Sequence, residues 1–242
     1  MNYINIDNDE EDNKKFPIFL IIVTIFLLIQ IFKIHSFDNT VLKNVDMQPF
    51  SEPIQETIEN GVPFKHKVKD GEALITPLAK YKIYGRVYAK HHSLSKFALA
   101  TMYPYDIAIF FGDFQYKEVY KCIKVHPVGT FIHYSYSGSA MKNHLYKYFK
   151  KESMTHCFTN NHLCPANKNV LKGLKKLQKK DVVYIEGYLI KFKLQRKNGR
   201  VEEGVSSTVR NDKEPMMSGN NGNGTCEQIY VTRVVSRHGD YK

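Results

Sequence analysis

Tryptophan is missing from this chain of 242 residues, and cysteine is scarce at four. Four cysteines in that length do not make a disulfide scaffold. No Gly-rich phosphate loop, no HExxH and no GxSxG occurs in the sequence. Those gaps exclude a P-loop nucleotidase, a zincin-type protease and an α/β-hydrolase nucleophile elbow. Acidic residues are also few, 24 against 35 Lys and Arg, which gives a formal charge of +11. The first 35 residues hold five acids and three bases. The rest therefore carries 32 bases, 19 acids and a charge of +13. Such a balance suits anionic partners such as nucleic acid, lipid headgroups or an envelope polymer. A lysine-rich solvated surface meets the same composition.

Charge is wholly absent from Phe16 to Phe32, FPIFLIIVTIFLLIQIF. At about 1.5 Å per residue this run spans roughly 25 Å, close to a bilayer core. Ile34 extends it, and Lys15 and Lys33 can snorkel at its ends. Apolar residues around the whole cylinder favour a single transmembrane helix over a buried soluble one. No small-residue cleavage site follows, so the reading is a retained anchor. Lys14 and Lys15 abut the helix and favour an N-terminus inside and a C-terminal domain outside the bacterial cytoplasmic membrane.

The expected organisation is a polar tail over 1–15, the anchor over 16–34, a Pro-broken linker over 35–72 and a folded domain over 73–242. Ala79 to Lys90 alternates with period two. Tyr81, Ile83, Val87 and Ala89 lie on one face, and Lys80, Lys82, Tyr84, Arg86, Tyr88 and Lys90 on the other. Gly85 in its middle predicts a bulge or bend. Further strands are predicted at 106–111, 118–125, 130–136, 145–150 and 228–235. The centre of the domain is the block from His156 to Phe192. It reads as a polar turn at Asn160-Asn161-His162 closed by Pro165. A short helix carrying Val170, Leu171, Leu174 and Leu177 follows, then a strand opened by Asp181. In that strand Val183, Ile185 and Leu189 form the buried face, opposite Tyr184 and Tyr188. The Gly-, Asn- and Ser-rich stretch 197–225 reads as a loop. Strands, one helix, then strands predict a mainly β domain, a small Greek-key barrel of the OB type.

Several segments carry a resemblance: TPLAKYKIYGRVYAK, PYDIAIFFGDF, TNNHLCPAN, DVVYIEGYL, SSTVRND and GNGTCEQIYVTRV. Over roughly residues 73–236 the chain resembles an uncharacterised bacterial family of small envelope proteins. That family has no established activity, so the resemblance implies a location and no reaction. The chain departs from its pattern at Phe110-Phe111-Gly112, at Cys164, and in the segment KEPMMSGNN after Asp212.

Three constellations are candidates for function. Asn160, Asn161, His162, Ser206, Ser207, Arg210, Asp212 and Glu227 would, if brought together, supply donors, an imidazole and carboxylates. They would bind an anion or perform acid–base chemistry, as a hydrolase or lyase. A polar network pinning irregular backbone uses the same residue types. His156, Cys157, His162 and Cys164 match zinc in type but not in spacing, so no metal and no cofactor is assigned. Cys157 and Cys164 could close a short disulfide in an oxidising compartment or pack as thiols. A Cys157–His162 nucleophile and base is the weakest option. Finally, Lys80, Lys82, Tyr84, Arg86 and Tyr88 interleave cations with rings, as a polyanion-binding strand does. A lysine-protected strand edge looks alike. The function expected overall is a binding or assembly module of the cell envelope, with an anionic polymer, nucleic acid or an envelope protein as partner.

Overall fold

The computed structural model describes residues 20–28, 42–93, 99–112, 116, 123–128, 131–136, 157–206 and 226–242. These residues are mainly β. The strands are β1 (Ile54–Thr57), β2 (Phe64–Val68), β3 (Gly71–His92), β4 (Tyr105–Phe110), β5 (Ile123–Val128), β6 (Phe131–Tyr136), β7 (Phe158–Pro165), β8 (Val182–Arg196), β9 (Val201–Val205), β10 (Cys226–Ser236) and β11 (Gly239–Tyr241). One helix, α1 (Lys168–Lys176), lies between β7 and β8, and a 3-10 turn covers Leu42–Asn44. Of the predicted anchor, residues 20–28 are described; they are helical and their large apolar side chains are exposed. Among the described residues no helix is long and apolar enough to cross a membrane.

The main sheet runs β1-β3-β4-β7-β10-β8-β9, with β2 on β3 and β11 on β10. β3 also pairs with β8 from Gly71–Arg196 to Arg86–Val182. The pairings β3, β4, β7, β10, β8 and back to β3 therefore form a closed circuit of five strands. Every contact in it is antiparallel except β7 with β10. Among the described residues β5 and β6 form a separate two-stranded sheet.

Period-two patterning builds the main core. Ala79, Tyr81, Ile83 and Val87 of β3 meet Ile107 and Ile109 of β4, Leu163 of β7, Ile229 and Val231 of β10, and Val183, Ile185 and Leu189 of β8. A second cluster joins Ala73 and Ile75 of β3 to Ile190, Phe192 and Leu194 of β8, with Met102, Tyr103 and Cys164. The β3–β8 register shifts between Pro77 and Ala79, where β3 passes from one cluster to the other. A bulge rotates a strand in this way. The bend predicted at Gly85 is found a little later, between Val87 and Ala89. Gly85 itself is needed because an added Cβ would strike the Phe110 carbonyl oxygen.

Helix α1 forms as its pattern predicts. The Asn167 side chain caps it by accepting from the backbone N–H groups of Asn169 and Val170, each at 2.9 Å. Val170, Leu174 and Leu177 enter the main core. At the other end Lys90 donates from Nζ to the carbonyls of Lys175 (2.8 Å) and Leu177 (2.9 Å), a cation on the negative end of the helix dipole.

Three expectations are corrected. Asn160-Asn161-His162 is not a turn: it lies within β7, paired on one side to β4 and on the other to β10. The stretch 35–72 is not a bare linker, since β1 and β2 pair with β3 and Leu42 is buried against Tyr84, Tyr184 and Val235. The loop 197–225 begins with strand β9, paired to β8. The predicted strands at 118–122 and 145–150 and the segment 207–225 lie outside the described residues.

Candidate functional site

The sequence NNH on β7 sends alternate side chains to opposite faces. Asn161 shares its parity with core Leu163 and is fully buried. Its Nδ2 donates to the Ile107 carbonyl (3.0 Å) and to Thr159 Oγ1 (2.8 Å). In the parallel register Asn161 stands beside Glu227. Ser206, at the end of β9, donates from Oγ to Glu227 Oε2 at 2.8 Å and accepts from the Gln228 N–H at 3.0 Å. Glu227 is only 2% exposed. Of the eight polar residues singled out, Ser206 and Glu227 thus meet at the parallel β7–β10 junction, with Asn161 the register neighbour of Glu227. Asn160, also buried, stands opposite Ala108 and Cys226. Ser207, Arg210 and Asp212 lie outside the described residues.

His162 points the other way. Four strands contribute to one cross-strand row there: His91 of β3 opposite Asp106 of β4, Asp106 opposite His162 of β7, and His162 beside Gln228 of β10. His162 Nδ1 lies 2.6 Å from Asp106 Oδ1. Ser93 Oγ donates to the other oxygen, Oδ2, at 3.2 Å, and His91 Nδ1 stands 3.8 Å from it. Asp106 is 3% exposed, whereas the His162 side chain keeps 18% of its surface. At that distance the carboxylate holds the imidazole through its Nδ1. Tyr103 packs on the His162 ring at 5.9 Å and donates its hydroxyl to Gln228 Oε1 at 3.0 Å. Burial, with Cys164 and Asp106 close by, pushes the Tyr103 phenol well above its ordinary value, so it stays a neutral donor.

Sequence reasoning missed Asp106, Ser93, His91, Tyr103 and Gln228. One signal was available for Asp106: it is the lone charge in the apolar run YDIAIFF. A carboxylate inside a strand otherwise buried throughout needs a partner.

Both cysteine proposals are corrected. Cys164 is a free, buried thiol. Seven residues apart along an extended segment, Cys157 and Cys164 are separated by roughly 23 Å, against the ~4.4–6.8 Å between Cα atoms that a disulfide spans. Cys157 and His162, five apart, are separated by about 16 Å along the same path, too far for a nucleophile and its base. Burial raises the Cys164 thiol far above its ordinary value, which keeps it inert. Among the described residues no group of three or more His, Cys, Asp or Glu converges as a metal site; His156 lies outside them.

The basic stripe is not an open platform. Tyr84 and Tyr88 are buried, at 5% and 7% exposure. Tyr84 stacks near-parallel with Phe50 and meets Tyr184 edge-on, and Tyr88 meets Phe110 edge-on at 4.5 Å. Lys80 pairs with Glu56 at 3.3 Å, Lys82 with Asp46 at 3.6 Å, and Arg86 donates to the Lys180 carbonyl at 3.1 Å. Pattern alone placed these rings on the face away from the main core, which is correct. It could not show that the chain's own N-terminal segment lies over Tyr84.

Comparison with protein-family models, with curated proteins and with solved structures returned no match for this chain.

Proposed function

We propose that the five-strand circuit is an OB-like Greek-key barrel acting as a binding module of the cell envelope. A single helix within 16–34 would anchor it, with the folded part outside the cytoplasmic membrane. The strand order β3-β4-β7-β10-β8, the lone parallel contact and the helix between β7 and β8 support the OB-type topology. The binding surface of this reading is the row His91, Asp106, His162 and Gln228, flanked by Tyr103.

The observation that carries binding over chemistry is the bonding of Asp106. Ser93 donates to the carboxylate, not to the imidazole, so it is not arranged as a nucleophile activated by His162. A buried carboxylate holding the ring at Nδ1 fixes the orientation of the imidazole within the row. The 2.6 Å contact also favours a second reading, in which His162 is the general base of a hydrolase or lyase.

The test is chromosomal His162→Ala and His162→Gln against deletion of the whole protein, scored by growth under detergent and antibiotic stress. Purified full-length variants are melted in parallel. Binding predicts that Ala reproduces the deletion defect with an unchanged melting point, and that Gln, a neutral hydrogen-bonding side chain, restores part of the function. Proton transfer predicts that Gln fails as Ala does. A stably folded His162→Ala strain indistinguishable from wild type, where deletion is defective, refutes this site.

A further inference from the structure

The N-terminal segment before β1 lies along the basic stripe of β3 in an unusual way. Leu42 is buried against Tyr84, Tyr184 and Val235, with Val45 and Met47 beside it. Asp46, itself fully exposed, reaches Lys82 at 3.6 Å. Phe50 lies nearly parallel to Tyr84, at 6.2 Å between centroids and 24° between planes. The Arg86 guanidinium stands 5.5 Å over the same Phe50 ring. Glu56, opposite Lys80 in the β1–β3 register, pairs with it at 3.3 Å. Ahead of β1 the Gly112 N–H donates to the Phe50 carbonyl at 2.7 Å, and from Ile54 on the segment is paired to β3 as an edge strand.

Phe50 makes these contacts with φ at +58°, in the left-handed region that bulky residues avoid. A strained aromatic held at a charged surface suggests a functional constraint. The chemistry of the segment repeats that of a ligand. Two carboxylates stand where phosphates would meet Lys80 and Lys82, and one ring occupies a stacking position between a tyrosine and an arginine. The Lys80–Glu56 pair is exposed on both sides, and such pairs are held weakly and screened by salt.

We infer that residues 42–56 are a built-in cover of the stripe, occupying the place of a single-stranded nucleic acid that displaces them. The near-parallel ring stack favours a polymer carrying bases over a ringless polyanion. The surface is separate from the His162 row and does not depend on it.

The experiment uses full-length protein in detergent and a fluorescein-labelled oligothymidylate, read by anisotropy across a salt series. The releasing variant combines Asp46→Asn, Phe50→Ala and Glu56→Gln. It should bind about tenfold more tightly than wild type, as when a cover present roughly nine-tenths of the time is removed. Adding Lys80→Gln, Lys82→Gln and Arg86→Gln should abolish the gain and flatten the salt slope by about two, from ~0.7 per neutralised phosphate. An unchanged affinity in the releasing variant overturns the proposal, as does a gain that survives neutralisation of the stripe. Polyphosphate binding the releasing variant as tightly as the oligonucleotide overturns the assignment to nucleic acid. Wild-type protein gives a check free of folding defects. Saturating oligonucleotide should speed amide exchange over 44–52, and unaltered exchange under saturation refutes displacement.

Discussion

Asp106 and His162 are direct partners in the β4–β7 register, and their side chains meet at 2.6 Å over a buried carboxylate. A carboxylate oxygen accepts from an N–H, so the contact calls for a proton on Nδ1. Long-range proton–nitrogen NMR should show this tautomer for His162 near neutral pH. Asp106→Asn removes the charged acceptor from His162 and Ser93 together and should cost about 1–3 kcal/mol of stability, measured by chemical denaturation. The Nε2–H tautomer in wild type would contradict the arrangement.

Ile185 is wholly enclosed in the main core, opposite Ile83 of β3 and Val234 of β10. Ile185→Ala should destabilise the fold by about 2–5 kcal/mol through lost transfer energy and a residual cavity. Thermal melts of wild type and variant decide the matter; coincident curves would mean that the strand does not pack as described.

His66 lies against Tyr230, with ring centroids 5.3 Å apart, and burial lowers its pKa from the usual 6.5. A depressed value means that the folded state binds the proton less readily than the unfolded chain. Its contribution to stability is thus present above pH ~6.5 and is lost as pH falls through the lower folded value. Stability curves from pH 7 down to pH 5 should decline in wild type and decline less in His66→Gln.

Cys164 is fully enclosed and its thiol is held neutral by burial. Alkylation of the native protein should label Cys157, which is partly exposed, well before Cys164. Mass spectrometry of unreduced protein should contain no peptide joining the two, and finding that peptide would contradict the position of Cys164 on β7.

The proposed export of the folded part rests on the uncharged run at 16–32 and on Lys14 and Lys15 beside it. A reporter active only outside the cytoplasm, fused after Lys242, should be active. A silent but stable fusion, with an active cytoplasmic reporter at the same site, reverses the topology.

Local periodicity was enough to place Val183, Ile185 and Leu189 on a core face and to find the helix of Val170, Leu174 and Leu177. In each case the spacing within a single element reports which side is buried. The charge pattern of β3 was legible for the same reason. The turn assigned to Asn160-Asn161-His162 failed because asparagine favours turns only while its amide serves its own backbone. Here the Asn161 amide also reaches Ile107 on the neighbouring strand, and β4 and β10 hold the backbone extended from both sides. Period two says that His162 and Asn161 part to opposite faces; it does not say which residues await them. Asp106 lies 56 positions before His162, and Phe50 lies 34 before the Tyr84 ring it covers. Strand order, register and the path of residues 42–57 decide those encounters. They are set by long-range pairing and by burial of surface shared between elements, and neither leaves a mark on the spacing of residues within one.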